Sequence, residues 1–247
     1  MNLIVCLLRQ VLKRRFCVIV LPVLWLAAAC GQPQAIAPAA PGPAPQIERP
    51  AAQSETGSQA LTVVFLGDSL TAGYGLEPED ALPQQVEAVW RSQGMNAVAV
   101  NAGVSGDTTA NALARFDWSV AAAGPDLLIV ALGANDFLLG LPADAARANL
   151  SAILERAKAA GMPVVLVGLT PRGSIEPESR EAAFAAIYPA LAAEYGVPLY
   201  PSLLASIESD PSMLQPDGLH PTRDGVVRIA RPLAEFLNPV LAELEQE

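Results

Sequence analysis

Histidine is almost absent from this 247-residue chain, which has one, His220. Cysteine is scarce too, and Cys6, Cys17 and Cys30 all fall within the first 30 residues. From residue 31 onward there is no thiol for a nucleophile or a disulfide, and no cysteine or multi-histidine set to ligate a metal. Charge is thin, at 16% of residues, and leans acidic, with 15 Lys and Arg against 25 Asp and Glu. Neutralising phosphates takes clustered cations, so a formal charge of −10 argues against nucleic-acid partners. Long apolar runs are lacking as well. The stretch Phe16 to Ala29 stops short of the ~20 residues that cross a bilayer. What the chain does have is hydrophobic content, 52%, enough for a sizeable core.

The charge is unevenly placed. Residues 1–30 carry Arg9, Lys13, Arg14 and Arg15 and no acid, a charge of +4, which leaves −14 for the rest. A basic head, a short apolar stretch and then small residues form the pattern of an export signal. Its end, "LAAAC", resembles a bacterial lipoprotein signal, in which cleavage leaves a lipid-modified Cys30. The alternative is an ordinary signal peptide cut among the alanines. Residues 31–60 are rich in Pro and Ala and poor in large apolar side chains. Such a segment favours extended conformations and suits a flexible linker. The expected organisation is a signal at 1–30, a linker at 31–60 and one domain at 61–247.

Within that domain, short apolar runs alternate with Ala-rich stretches. Strands are expected at 61–66, 96–101, 126–132, 163–169 and 197–202, each apolar on both faces as strands covered on both sides are. Helices are expected at about 79–93, 108–123, 143–160, 177–195 and 222–245, with glycines marking their ends. Alternating β and α units predict an α/β fold with a parallel sheet between helical layers. In such sheets function gathers beyond the carboxyl ends of the strands. The residues there are "GDSLTAG" after the first run, "AGVSGDTT" after the second, "GANDF" after the third and "TPRGS" after the fourth. "DGLHPT" precedes the last helix.

Ser69 stands where a strand turns into a helix, a position that projects its hydroxyl into the crevice. It is a candidate nucleophile, and equally a candidate helix N-cap. A serine hydroxyl needs a base, and histidine titrates in the range that shuttles protons at neutral pH. His220 is the sole candidate, against the alternative of a surface or core histidine. Asp217, three residues before it, can reach one ring nitrogen across a turn and leave the other for Ser69. Acyl transfer also needs donors for an oxyanion. Gly106 can offer its backbone N–H and Asn135 its amide; a turn glycine and an Asx-turn asparagine are the common alternatives for each alone, but three such blocks at three successive strand ends argue against coincidence. Asp68 and Asp136 flank these positions and are expected to bond loop backbones, because further carboxylates facing an oxyanion would oppose its charge.

The blocks "FLGDSLTAGYGL", "NAGVSGDTTANALARF", "ALGANDFLLGLP" and "DGLHPT", in that order, resemble the SGNH (GDSL) hydrolase superfamily. They are most similar to its bacterial arylesterase, thioesterase I and lysophospholipase L1 group. The resemblance runs from about Leu61 to the last helix. It implies a three-layer α/β/α, flavodoxin-like fold with a five-stranded parallel sheet. It implies Ser69 as nucleophile, His220 as general base and acid, and Asp217 as its orienting partner. The Ser69 N–H, Gly106 N–H and Asn135 amide would form the oxyanion hole, and no cofactor or metal is expected.

The substrate is then a small acyl ester or lipid. Leu70 and the segment "DFLLGLP", with Phe137, Leu138, Leu139 and Leu141, are the expected substrate-contacting residues, unless that segment simply packs on the core. Such a wall suits medium acyl chains or aryl esters. The acidic body disfavours attraction of anionic acyl-CoA. Two alternatives stay open: a carbohydrate O-acetyl esterase of the cell envelope, and a non-catalytic envelope lipoprotein on a hydrolase fold. Contact with a membrane is expected through the Cys30 anchor alone.

Overall fold

Strand β1, Leu61–Gly67, lies at the interior of a five-stranded sheet because both of its faces are apolar. The computed structural model describes residues 59–170 and 178–246. The expected signal with Cys30, almost all of the expected linker and the "PRGS" part of the fourth block lie outside the described residues. The other strands are β2 (Ala97–Gly103), β3 (Leu127–Ala131), β4 (Val164–Val167) and β5 (Leu199–Tyr200). Their order is β2-β1-β3-β4-β5 and every pairing is parallel. The helices are α1 (Ser69–Ala72), α2 (Leu82–Ser92), α3 (Thr109–Ala114), α4 (Phe116–Ser119), α5 (Ala134–Leu138), α6 (Ala143–Ala159), α7 (Glu178–Tyr195) and α8 (Arg223–Leu244).

The strand period of two sorts the core into two layers. Val63, Phe65, Leu127, Ile129, Val165 and Val167 face one side and pack against Trp90 and Val86 of α2 and the Val226, Ile229, Leu233, Leu237 and Leu241 stripe of α8. That stripe recurs every three or four residues, which puts it on one helical face. Val64, Leu66, Leu128, Val130 and Leu166 face the other side, against α3, α4, α6 and α7. Each fully buried side chain of this kind contributes about 1.5–3 kcal/mol. The result is the expected three-layer α/β/α arrangement with a five-stranded parallel sheet.

Several stretches depart from expectation: the strand expected at 197–202 is only Leu199–Tyr200, and the short helices α1 and α5 are additional to the expected ones. The predicted helix at 108–123 is three pieces: α3, α4 and a 3-10 turn at Ala121–Ala123. The break falls at Arg115, which leaves helical geometry (φ −98°, ψ 5°) while its guanidinium reaches Asp107 and the Gly67 carbonyl. The predicted helix at 79–93 begins as a 3-10 turn, Pro78–Asp80, and becomes α2 only from Leu82.

Candidate active site

The carboxyl ends of β1, β2 and β3 and the loop before α8 converge on one spot. After β1 the chain turns at once into α1. Its cap is Asp68, whose carboxylate accepts from Leu70 N at 3.0 Å, so Ser69 occupies the first helical position. A serine acting as the cap would have spent its oxygen on the backbone. Here the hydroxyl is left for another partner. Gly103, at the end of β2, allows α1 to sit this close, because a Cβ there would meet Ala72 N at 2.4 Å.

That other partner is the histidine. His220 Nε2 lies 2.8 Å from Ser69 Oγ, across 151 residues of sequence. Its Nδ1 lies 2.7 Å from Asp217 Oδ2. The second carboxylate oxygen of Asp217 accepts from Leu219 N at 2.9 Å and His220 N at 3.0 Å. These donors, His220 N–H first and then the ring, hold the Asp217 pKa down at about 2. An ionised carboxylate only accepts, so Nδ1 carries the ring proton and Nε2 presents its lone pair to the Ser69 O–H. The Tyr74 ring lies on the imidazole, with centroids 4.4 Å apart and planes at 35°.

Asn135, in the first turn of α5, donates one amide hydrogen to the Asp107 carbonyl at 2.9 Å. An amide has two N–H donors, so the second stays available beside Ser69, where Asn135 lines the same cavity. Gly106 sits at φ +87°, a left-handed conformation that suits glycine, immediately before Asp107. It is exposed and is not among the cavity-lining residues. The Asp107 carboxylate is held by Arg115 Nε at 2.6 Å, and Arg115 Nη2 donates to the Gly67 carbonyl at 3.0 Å. One guanidinium thus joins the end of β1 to the loop after β2.

The two flanking carboxylates bond backbone, as their positions suggest. Asp136 accepts from Thr109 N at 2.8 Å and Thr109 Oγ1 at 2.6 Å. Asp68 is 2% exposed, and burial, partly offset by its bond from Leu70 N–H, raises its pKa to about 6.

An apolar cavity of about 270 Å³ opens beside Ser69 and His220. That is just under the ~300 Å³ where ligand sites usually begin. Leu70, Phe137 and Leu138 line it, as do Leu204, Ile207 and Leu214. Leu139 and Leu141 do not. Helix α5 ends at Leu138, so Leu139 turns out to solvent, 64% exposed. The Leu141 carbonyl accepts from Arg180 Nη2 at 2.9 Å, tying that end of the segment to α7. Arg180 also donates to the Phe137 and Asp136 carbonyls and stands over the Phe137 ring. The sequence pattern offers no signal for Arg180, and the signal for Leu204 and Ile207 is only that they follow β5 at the same edge of the sheet. Arg115 lies inside the quoted "LARF" but has no role there that spacing reveals.

Comparison with known proteins shows which family the chain belongs to. Residues 65–227 match the model of the GDSL-like Lipase/Acylhydrolase family. The chain is 36% identical over 182 residues to Thioesterase 1/protease 1/lysophospholipase L1 of Escherichia coli, covering 74% of this chain and 86% of that one. It superposes on the crystal structure of TesA with a TM-score of 0.68 at 31% identity, over 72% of this chain and 98% of that one. AlinE4, an SGNH-hydrolase family esterase, aligns with a TM-score of 0.63 at 37% identity, over 76% and 97% of the two chains.

Proposed function

Because the chain belongs to the GDSL-like lipase and acylhydrolase family, the SGNH esterases, thioesterases and lysophospholipases, we propose that it hydrolyses carboxylic esters through Ser69, His220 and Asp217. The observation that carries this is the unbroken chain from Asp217 Oδ2 through the imidazole to Ser69 Oγ, at 2.7 and 2.8 Å, on the wall of an apolar cavity.

Ser69 Oγ attacks the substrate carbonyl carbon while His220 Nε2 takes the hydroxyl proton. The ionised Asp217 steadies the imidazolium that results. Negative charge builds on the carbonyl oxygen, where the Ser69 N–H, the Gly106 N–H and the second amide hydrogen of Asn135 act as donors. One such donor is worth ~2.7–4 kcal/mol in a measured case. As the tetrahedral species collapses, the C–O bond to the alcohol breaks and His220 returns its proton to the leaving oxygen. Water then attacks the acyl-serine with His220 as base again, releasing the acid and restoring Ser69.

The cavity wall of Leu70, Phe137, Leu138, Leu204 and Ile207 favours medium acyl chains or aryl esters, lysophospholipids among them. The charge of −14 beyond residue 30 weakens attraction of anionic thioesters such as acyl-CoA, so oxygen esters rank above thioesters. The test is a panel of p-nitrophenyl esters from acetate to octanoate on the purified protein, with Ser69→Ala as control. The expected result is a higher kcat/KM for the medium chains and a loss of activity in the control. Cleavage of acetate alone would favour the carbohydrate O-acetyl esterase.

Export and anchoring at Cys30 are part of the same proposal and rest on the sequence pattern. Mass spectrometry of the mature N-terminus checks them, with a diacylglyceryl-cysteine at residue 30 as the expected outcome.

A further inference from the structure

The Ser69–His220 contact joins two loops that nothing in the local sequence brings together. Ser69 rides on the turn after β1, and His220 on the ribbon before α8. A bond of 2.8 Å between side chains this far apart in sequence needs the two backbones held in register. One side chain spans both. The Gln215 amide donates one hydrogen to the Tyr74 carbonyl at 2.7 Å and the other to the Pro221 carbonyl at 2.9 Å. Two carbonyl oxygens face this amide, so both contacts must be made by its nitrogen, because the amide oxygen would be repelled there.

The surroundings support a clamp. Gln215 N donates to the His220 carbonyl at 2.7 Å, Gly218 N donates to the Gln215 carbonyl at 2.9 Å, and Leu214 pairs with Pro221 in an antiparallel bridge. The segment from Met213 to Thr222 is therefore a closed ribbon, with Met213 and Thr222 at its base and Gln215 opening the turn that carries Asp217 at its tip. On the other loop, Tyr74 presents its carbonyl to Gln215 and its ring to His220. Gly75 follows at φ +75°, and a Cβ there would lie 2.6 Å from Gln215 Oε1. The glycine makes room for the amide. A second link between the same regions, Arg223 to Asp80, is an ion pair whose arginine side chain is 65% exposed, and exposed pairs hold little.

We propose that Gln215 is a positioning residue that locks the histidine ribbon to the nucleophile loop, so that His220 Nε2 meets Ser69 Oγ in attacking geometry. The proposal rests on the assignment of Ser69 as nucleophile and His220 as base. Gln215 reaches no reacting atom. Its effect passes through the placement of the imidazole, where a misplacement of about 1 Å can cost ~10²-fold in rate.

The experiment is steady-state kinetics on a p-nitrophenyl ester for Gln215→Met, which keeps the length and removes both donors. Gly75→Ala is a second variant that displaces the amide from the other side. Thermal melts establish that each variant is folded. The expected result is a kcat lower by ~10–100-fold with KM within about threefold, in both variants. Gln215→Asn, one methylene shorter, keeps one carbonyl and falls between. In a His220→Ala background, Gln215→Met is expected to cost nothing further, because groups that act as a unit are non-additive. A general loosening of the site would lower that residual rate as well, and such a result would overturn the proposal. So would a Gln215→Met enzyme with a kcat within twofold of wild type while His220→Ala is inactive. If His220→Ala itself kept the wild-type rate, the assignment of the base would fall and the positioning role with it.

Discussion

Asp68→Asn isolates a cost that the site imposes on the fold. The Asp68 carboxyl is 2% exposed beneath Ser69, and burial lifts its pKa from 3.8 to about 6. Below pH ~4 the group is protonated in both folded and unfolded chains and costs nothing. Between about pH 4 and 6 the unfolded chain releases the proton while the folded chain keeps it, so stability falls as pH rises. Above about pH 6 both states are ionised and the penalty is complete. About two pKa units at ~1.4 kcal/mol each give a penalty of about 3 kcal/mol. Asparagine has no charge to bury, and its side-chain oxygen still accepts from Leu70 N, so the cap of α1 survives. Urea unfolding followed by circular dichroism, at steps from pH 4 to pH 8, compares variant and wild type so that all other titrations cancel. The expected difference, variant minus wild type, climbs by about 3 kcal/mol across pH 4 to 6 and then levels off. A difference flat with pH would refute this, showing that burial imposes no penalty on the Asp68 carboxylate.

Two other substitutions probe the loops around the nucleophile. Asn135→Ala removes the amide donor beside Ser69, and kcat is expected to fall by ~10²–10³ with little change in KM, measured on a p-nitrophenyl ester. Arg115→Met leaves the Asp107 carboxylate buried without its cation, with an expected loss of ~3–5 kcal/mol in urea unfolding at pH 7. A loss under 1 kcal/mol would mean that water or another cation takes the place of the guanidinium.

The parallel sheet and its layers were legible because β1, β3 and β4 are short runs, apolar on both faces, whereas β2, at the sheet edge, leaves Val98 and Asn101 exposed. The contact of Ser69 with His220 was legible from different evidence: one histidine, one Asp three residues before it, and polar blocks at three successive strand ends. Less was visible where contacts between distant residues decide local structure. Residues 108–123 look continuously helical in an Ala-rich sequence, yet the chain bends at Arg115 because that side chain bridges Asp107 and Gly67. Helices of four or five residues, such as α1 and α5, are too short to carry a period. Gln215 and Arg180 hold backbone carbonyls of residues up to 141 positions away, and a carbonyl leaves no trace in side-chain pattern. Leu139 and Leu141 differ from Leu138 only in which way a short helix and its exit point them, and spacing alone does not reveal that.

His220 makes Ser69 a nucleophile by taking its proton. A fluorophosphonate probe, followed by peptide mapping in a mass spectrometer, tests it directly. One adduct is expected, on Ser69, formed in the folded protein and at least ~10²-fold more slowly in His220→Ala. An adduct on a different serine, or a Ser69 that stays unmodified while the protein hydrolyses esters, would contradict it.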